Sequence, residues 1–110
     1  KIDKAEAVIA WDRPASLIGR QVRAFNPGPG ASTTLGADAI KIWLAETVQG
    51  VLPPGAVPGQ VLFADGDGLC VTTGDGILRL LELQRAGGKR LPVREFLQGF
   101  PISAGQVLGR

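Results

Sequence analysis

The chain has 110 residues, enough for one domain, of which 45% are hydrophobic and 20% charged, a composition that excludes disorder and allows a buried core. Histidine is absent, which excludes Ser-His-Asp and Cys-His nucleophilic machinery and any zinc site that needs imidazole. The one cysteine, Cys70, forms no internal disulfide, and no stretch approaches the roughly 20 apolar residues of a membrane span, so the expected setting is reducing and cytoplasmic, with no membrane partner. Lys1 is not a methionine and opens no signal-like segment, so the expectation is a piece of a longer protein. Glycine (16) and proline (8), with 29 Val, Leu and Ile against 6 aromatics, favour short strands punctuated by turns over a helical bundle.

In chain order, Asp3 and Glu6 stand at capping-box spacing and predict a helical turn over 4–8, after which Ile9 and Trp11 enter the core. Pro14 opens a helix over 14–25 with Asp12 placed to cap it. Leu17, Val22 and Phe25 are expected to point inward, while Arg20 and Arg23 face elsewhere. The run Asn26-Pro27-Gly28-Pro29-Gly30 ends that helix, because residues before proline turn extended and glycine tolerates turn angles. A strand over 32–35 and a turn at Gly36-Ala37 then lead to a period of two, Ile40, Ile42 and Leu44 alternating with Lys41, Trp43 and Ala45, which predicts a hairpin. Further strands are expected over 61–64 and 69–73, separated by the turn Asp65-Gly66-Asp67-Gly68, and over 77–83, where the leucines imply a central position. A basic loop over 85–90 precedes a second helix from Pro92 through Leu97, stopped by Gly99, and Val107-Leu108 adds a last strand. Five or six short strands predict a mainly β fold: a small OB-like Greek-key barrel closed on itself, with one or two covering helices, as a single domain over 1–110.

The net charge is only +2, but it is unevenly distributed. Residues 38–76 hold Asp38, Glu46, Asp65, Asp67 and Asp75 against Lys41, while residues 77–94 hold Arg79, Arg85, Lys89, Arg90 and Arg94 against Glu82. Should the early and late segments meet, one face is basic and the opposite face acidic, the footprint of a polyanion site. Arg20 and Arg23, three apart on the first helix, together with Arg85, Lys89, Arg90 and Arg94, are the candidate phosphate-contacting residues. No catalytic set emerges. The glycine pairs lack phosphate-loop spacing and precede strands, the Asp65 turn lacks the later ligands of a calcium loop, and Cys70 has no basic neighbour in sequence. Trp11 and Trp43 read as core residues, and the chain as a binding or scaffold domain without metal or cofactor of its own.

Taken together, these segments resemble the C-terminal domain of the methionyl-tRNA formyltransferase family. The collinear matches begin with Lys1-Ile2, Lys4, Glu6, Ala7 and Ile9 before Trp11, and continue with Arg23-Ala24-Phe25-Asn26-Pro27 followed by Pro29, the most specific motif. Ile40-Lys41-Ile42-Trp43, Pro58-Gly59 with Val61-Leu62, and Thr73-Gly74-Asp75-Gly76 follow. Leu80-Leu81, Leu83-Gln84, Ala86-Gly87-Gly88-Lys89-Arg90 and Phe96-Leu97 complete the order. The family commonly has tryptophan where this chain has Gly28, and an acid where it has Ala10.

The resemblance implies an enzyme that passes a formyl group from 10-formyltetrahydrofolate to the methionine of initiator methionyl-tRNA. Its chemistry would reside in a Rossmann-like N-terminal domain of the same polypeptide, and a monomer is expected. This chain would then hold tRNA electrostatically through its lysines and arginines. Two alternatives remain: an interdomain scaffold of a related formyltransferase acting on a sugar nucleotide or folate, without RNA, and a free-standing RNA-binding barrel.

Overall fold

Trp11 and Pro14 organise the start of the fold. The computed structural model describes residues 4–110 and opens on a 3-10 turn, Lys4–Ala7. Asp3, the expected cap of that turn, lies outside the described residues. Helix α1, Ala15–Ala24, begins directly after Pro14 and buries Ala15, Ile18, Gly19 and Val22 as one stripe that continues to Phe25. Leu17 does not join it. Lying about 100° of helical rotation from Ile18, it stays 39% exposed, which corrects its expected inward position. Nor does Asp12 cap α1, since no side chain does; the Ala15 amide instead donates to the Asp75 carbonyl at 2.9 Å, tying the helix start to a strand turn.

Six strands follow: β1 Ala31–Leu35, β2 Asp38–Val48, β3 Val61–Ala64, β4 Leu69–Thr72, β5 Ile77–Arg85 and β6 Leu91–Pro92, before helix α2, Val93–Gly99. Every pairing between these strands is antiparallel, in the order β1-β2-β5-β4-β3, with β6 added to β5. The mainly β fold with two helices is therefore as the sequence predicts, down to the turn at Gly36-Ala37, where Leu35 pairs with Asp38. The leucine-rich strand is indeed central: Leu78, Leu80 and Leu83 are at most 1% exposed and meet Ile18, Val22, Ile42, Leu69, Val71 and Phe96 in the core. Each such aliphatic side chain contributes about 1.5–3 kcal/mol through burial.

The simple alternation expected along β2 fails at one place. Ile42 pairs with Leu83, Leu44 with Glu82 and Ala45 with Leu80, so Trp43 on β2 and Leu81 on β5 are both left out of register. These facing bulges bend the sheet and reverse its inward parity: Ile40 and Ile42 are buried before the bend and Ala45 after it, whereas Leu44 is 47% exposed. Period-two reasoning cannot place an irregularity whose cause is the partner strand.

Barrel closure also differs from expectation. The edge strands β1 and β3 form no ladder with each other, so the sheet does not close strand to strand. The seam is spanned instead by the C-terminal segment. Leu108 donates to the Gly59 carbonyl and accompanies a bridge between Val107 and Gln60, while Gly109 donates to Thr34 of β1, each amide at 2.8 Å. The expected last strand is thus a single bridge within a tail that satisfies both edges. Trp11 fills the seam from inside: its ring is 5% exposed and its Nε1–H donates to the Thr33 Oγ1 at 2.9 Å. Among the described residues, no helix is long and apolar enough to cross a membrane.

Candidate functional site

The β2–β5 bend places Trp43 on the outside of the sheet, away from the main core cluster, yet leaves it only 7% exposed. Its cover is polar and cationic. The Arg90 guanidinium lies 4.5 Å from the ring centroid and the Lys41 ammonium 5.8 Å from it. The indole N–H donates to Gln84 Oε1 at 2.9 Å, and the Trp43 carbonyl accepts from Asn26 Nδ2 at 2.9 Å, which ties the exit of α1 to this ring. Gly30 passes directly beneath: a Cβ there would lie 2.9 Å from Trp43 Cη2, and its φ of +90° is one that only glycine adopts readily. Trp43 is therefore buried, as the sequence reading holds, but by cations, an amide and a glycine turn.

The candidate cations, together with Arg79, divide into two groups. Arg90 forms an ion pair with Glu82 on its own hairpin. Arg94, in the first turn of α2, reaches Asp67 in the β3–β4 turn at 3.3 Å, and Arg79 bridges Glu46 at 2.7 Å and Asp65 at 3.0 Å. The hydrogen bond from Arg79 holds the Asp65 carboxyl below its usual range against a smaller opposing effect of burial, and the two carboxylates raise the Arg79 pKa in return. Burial, and then the nearby Asp65 charge, push the Cys70 thiol up. The charge segregation expected from sequence is therefore partly cancelled in space, because β3–β4 and β2 deliver their acids onto Arg79 and Arg94.

The other group has no acid partner among the described residues. Arg20 and Arg23 are exposed on α1, and Lys89 is exposed in the β5–β6 turn. Arg85, at the end of β5, lies with its guanidinium 5.1 Å from the Phe100 ring centroid. Arg85, Lys89 and Arg90 are brought together by the β5–β6 hairpin. Among the described residues, no hydrogen bond or ion pair links Arg20 or Arg23 to that hairpin. Beside it, Ser32, Lys41 and Gln84 form one cross-strand row over β1, β2 and β5. With Ile40, Arg85 and Gly87 they line an open pocket of about 370 Å³.

With this geometry described, the likeness to known proteins is specific: residues 1–101 match the family of the formyl transferase C-terminal domain. The chain belongs to that family. It is 57% identical to a methionyl-tRNA formyltransferase of Acidovorax ebreus (strain TPSY), over 99% of this chain and 34% of that protein. To the methionyl-tRNA formyltransferase of Ralstonia nicotianae it is 53% identical, over 96% of this chain and 32% of that protein. The chain thus spans about a third of the length of these curated relatives. Among solved structures, HypX from Aquifex aeolicus in complex with tetrahydrofolic acid has a TM-score of 0.78 at 20% identity, over 96% of this chain and 19% of that one, a likeness of fold.

For this formyl transferase C-terminal domain, a cation that sequence reasoning did not group with the candidate residues is Lys41. It stands in the most acidic stretch of the chain, and only the pairings Lys41 with Gln84 and Ile40 with Arg85 carry it to the basic hairpin. The strand alternation that turns Lys41 away from the buried Ile40 and Ile42 was the one available signal.

Proposed function

We propose that this chain is the C-terminal domain, OB-like and spanning residues 1–110, of a cytoplasmic methionyl-tRNA formyltransferase, and that it positions initiator tRNA for formyl transfer from 10-formyltetrahydrofolate. The transfer itself takes place in a Rossmann-like N-terminal domain of the same monomeric polypeptide. The observation that carries this reading is the 57% identity to a protein of that name over 99% of this chain. Cations with no acid partner among the described residues support the tRNA role: Arg20, Arg23, Arg85 and Lys89 keep their donors for phosphate oxygens. Arg90 and Arg94, already paired with Glu82 and Asp67, contribute more weakly and fix the shape of the surface.

The test is charge reversal of Arg85 and Lys89 to glutamate in the full-length enzyme. The Michaelis constant for initiator tRNA is expected to rise and its salt dependence to flatten, with folate kinetics unchanged. Unchanged tRNA kinetics in a folded double variant would favour the interdomain-scaffold alternative, in which the domain never touches RNA.

A further inference from the structure

We infer that the apolar face formed by Val8 and Leu17 is where the N-terminal domain of the same polypeptide docks, an inference that rests on the proposed presence of that domain. Val8 is 57% exposed and Leu17 39%, and helical spacing sets Leu17, Gln21 and Ala24 on one side of α1. Gln21 joins the two elements: its Nε2 donates to the Glu6 carbonyl at 2.8 Å and to the Val8 carbonyl at 3.2 Å. The Ile9 amide donates to the Ser32 carbonyl at 2.8 Å, so the backbone that presents Val8 is held on β1 as well as on α1. Two exposed aliphatic side chains thus stand on a fixed surface.

The relative with 57% identity is matched over 34% of its length by a C-terminal domain, so in the proposed protein most of the remaining polypeptide precedes this domain and enters it just before the Lys4–Ala7 turn and Val8. The size of the patch also selects its occupant. A free partner needs an interface of about 1,200 Å² or more, which two aliphatic side chains do not supply. A tethered partner acts at an effective concentration of about millimolar when the linker is short, so a small apolar patch is enough to hold it. This favours the preceding domain over a second copy. The other exposed apolar residues make no such face: Val51, 91% exposed, is in the loop between β2 and β3, while Leu44 on β2 and Phe63 on β3 are separated by the strand that carries Arg79 and its ion pairs.

Helix α1 carries Arg20 and Arg23 on the adjoining side, so a domain seated on Leu17 holds these two cations in one position relative to its own reacting groups. The test is made in the full-length enzyme, with Val8→Cys, Leu17→Cys and Val51→Cys as separate variants and maleimide labelling of each site read by peptide mass spectrometry. Exposure in this domain alone, 57% and 39% against 91%, separates the sites by little more than twofold. Docking is expected to slow labelling at positions 8 and 17 by at least about tenfold relative to position 51. Leu17→Asp, which sets a charge on the docking face, is expected to raise the radius of gyration in small-angle scattering and to lower kcat/KM for formyl transfer about tenfold, with tRNA affinity within about threefold of wild type. Val51→Asp is expected to change none of these.

Labelling at positions 8 and 17 within about threefold of that at position 51 would overturn the docking face while leaving the tRNA reading intact. Protection that fades as the enzyme is diluted would assign the face to a second copy and overturn the tethered domain. Protection at both positions in an enzyme that does not bind tRNA would keep the docking face and overturn the proposed function instead. If Leu17→Asp does not fold, the labelling of the uncharged cysteine variants decides.

Discussion

Replacing Thr33 by valine removes one hydroxyl and almost no volume, yet it is expected to loosen the seam of the sheet. Thr33 is 4% exposed and its Oγ1 accepts the Trp11 indole N–H at 2.9 Å, with the indole itself 5% exposed. Valine keeps the methyl packing and strands a buried donor, a loss of about 1–3 kcal/mol. For a domain of this size each kcal/mol lowers Tm by about 4–8 °C, so the expected drop is roughly 5–20 °C. The effect should be local first. Gly59 and Gly109 both approach the Trp11 ring, and the tail that spans the seam donates from Leu108 and Gly109. Amide exchange at these two residues is therefore expected to accelerate more than at Leu78 or Leu80 in the central strand. In urea unfolding, Trp11→Phe combined with Thr33→Val should cost less than the two single changes added, by about 0.5–3 kcal/mol, because both remove the same hydrogen bond. A Thr33→Val variant whose stability changes by no more than the about 0.5 kcal/mol of a surface substitution would refute the reasoning.

Three further outcomes are expected. Ile18→Ala should cost about 2–5 kcal/mol in denaturant unfolding, while Leu17→Ala, one residue away on the exposed side of α1, should stay below about 1 kcal/mol; equal losses would show that the helix face is misassigned. Because Arg79 holds the Asp65 carboxyl below its ordinary value, ionised Asp65 favours the folded state above the ordinary carboxyl pKa, and that contribution disappears as pH falls through the lowered value. Carboxyl-carbon NMR titration should place Asp65 low in the wild type and back in the ordinary range in Arg79→Gln, and an unmoved titration would contradict the pairing. Cys70, 3% exposed and with its thiol pKa pushed up, should react with an aromatic disulfide reagent at mildly alkaline pH only as fast as the chain opens, and at full rate in denaturant; prompt labelling of the folded protein would contradict its placement.

Much of this fold is legible in the sequence because its punctuation is local. Pro14, the Asn26–Gly30 run, Gly36-Ala37, the Asp65–Gly68 turn and Pro92 each bound the element that the structure shows. What the sequence hides arises between strands. The bulges at Trp43 and Leu81 exist only as a pair, so the exposure of Leu44 and the burial of Ala45 follow from β5 rather than from β2 alone. Closure through residues 106–109 brings the tail to an edge strand more than seventy residues away in sequence, as the bond from Gly109 to Thr34 illustrates. The charged surface is legible to the same limited degree. Arg85, Lys89 and Arg90 are neighbours in sequence and on one hairpin, but the pairing of Arg94 with Asp67 and the arrival of Lys41 opposite Gln84 are products of topology.

The central claim is that this domain holds tRNA through Arg20, Arg23, Arg85 and Lys89, and the dependence of affinity on salt tests it most directly. Fluorescence anisotropy of labelled initiator tRNA with the full-length enzyme should be compared with a variant carrying Arg20→Gln, Arg23→Gln, Arg85→Gln and Lys89→Gln. Four lost phosphate contacts should reduce the slope of log affinity against log salt by about three, so that between 50 and 200 mM salt the wild type loses roughly a hundredfold more affinity than the variant. Equal affinity and equal slope for the two proteins, both folded, would contradict the claim.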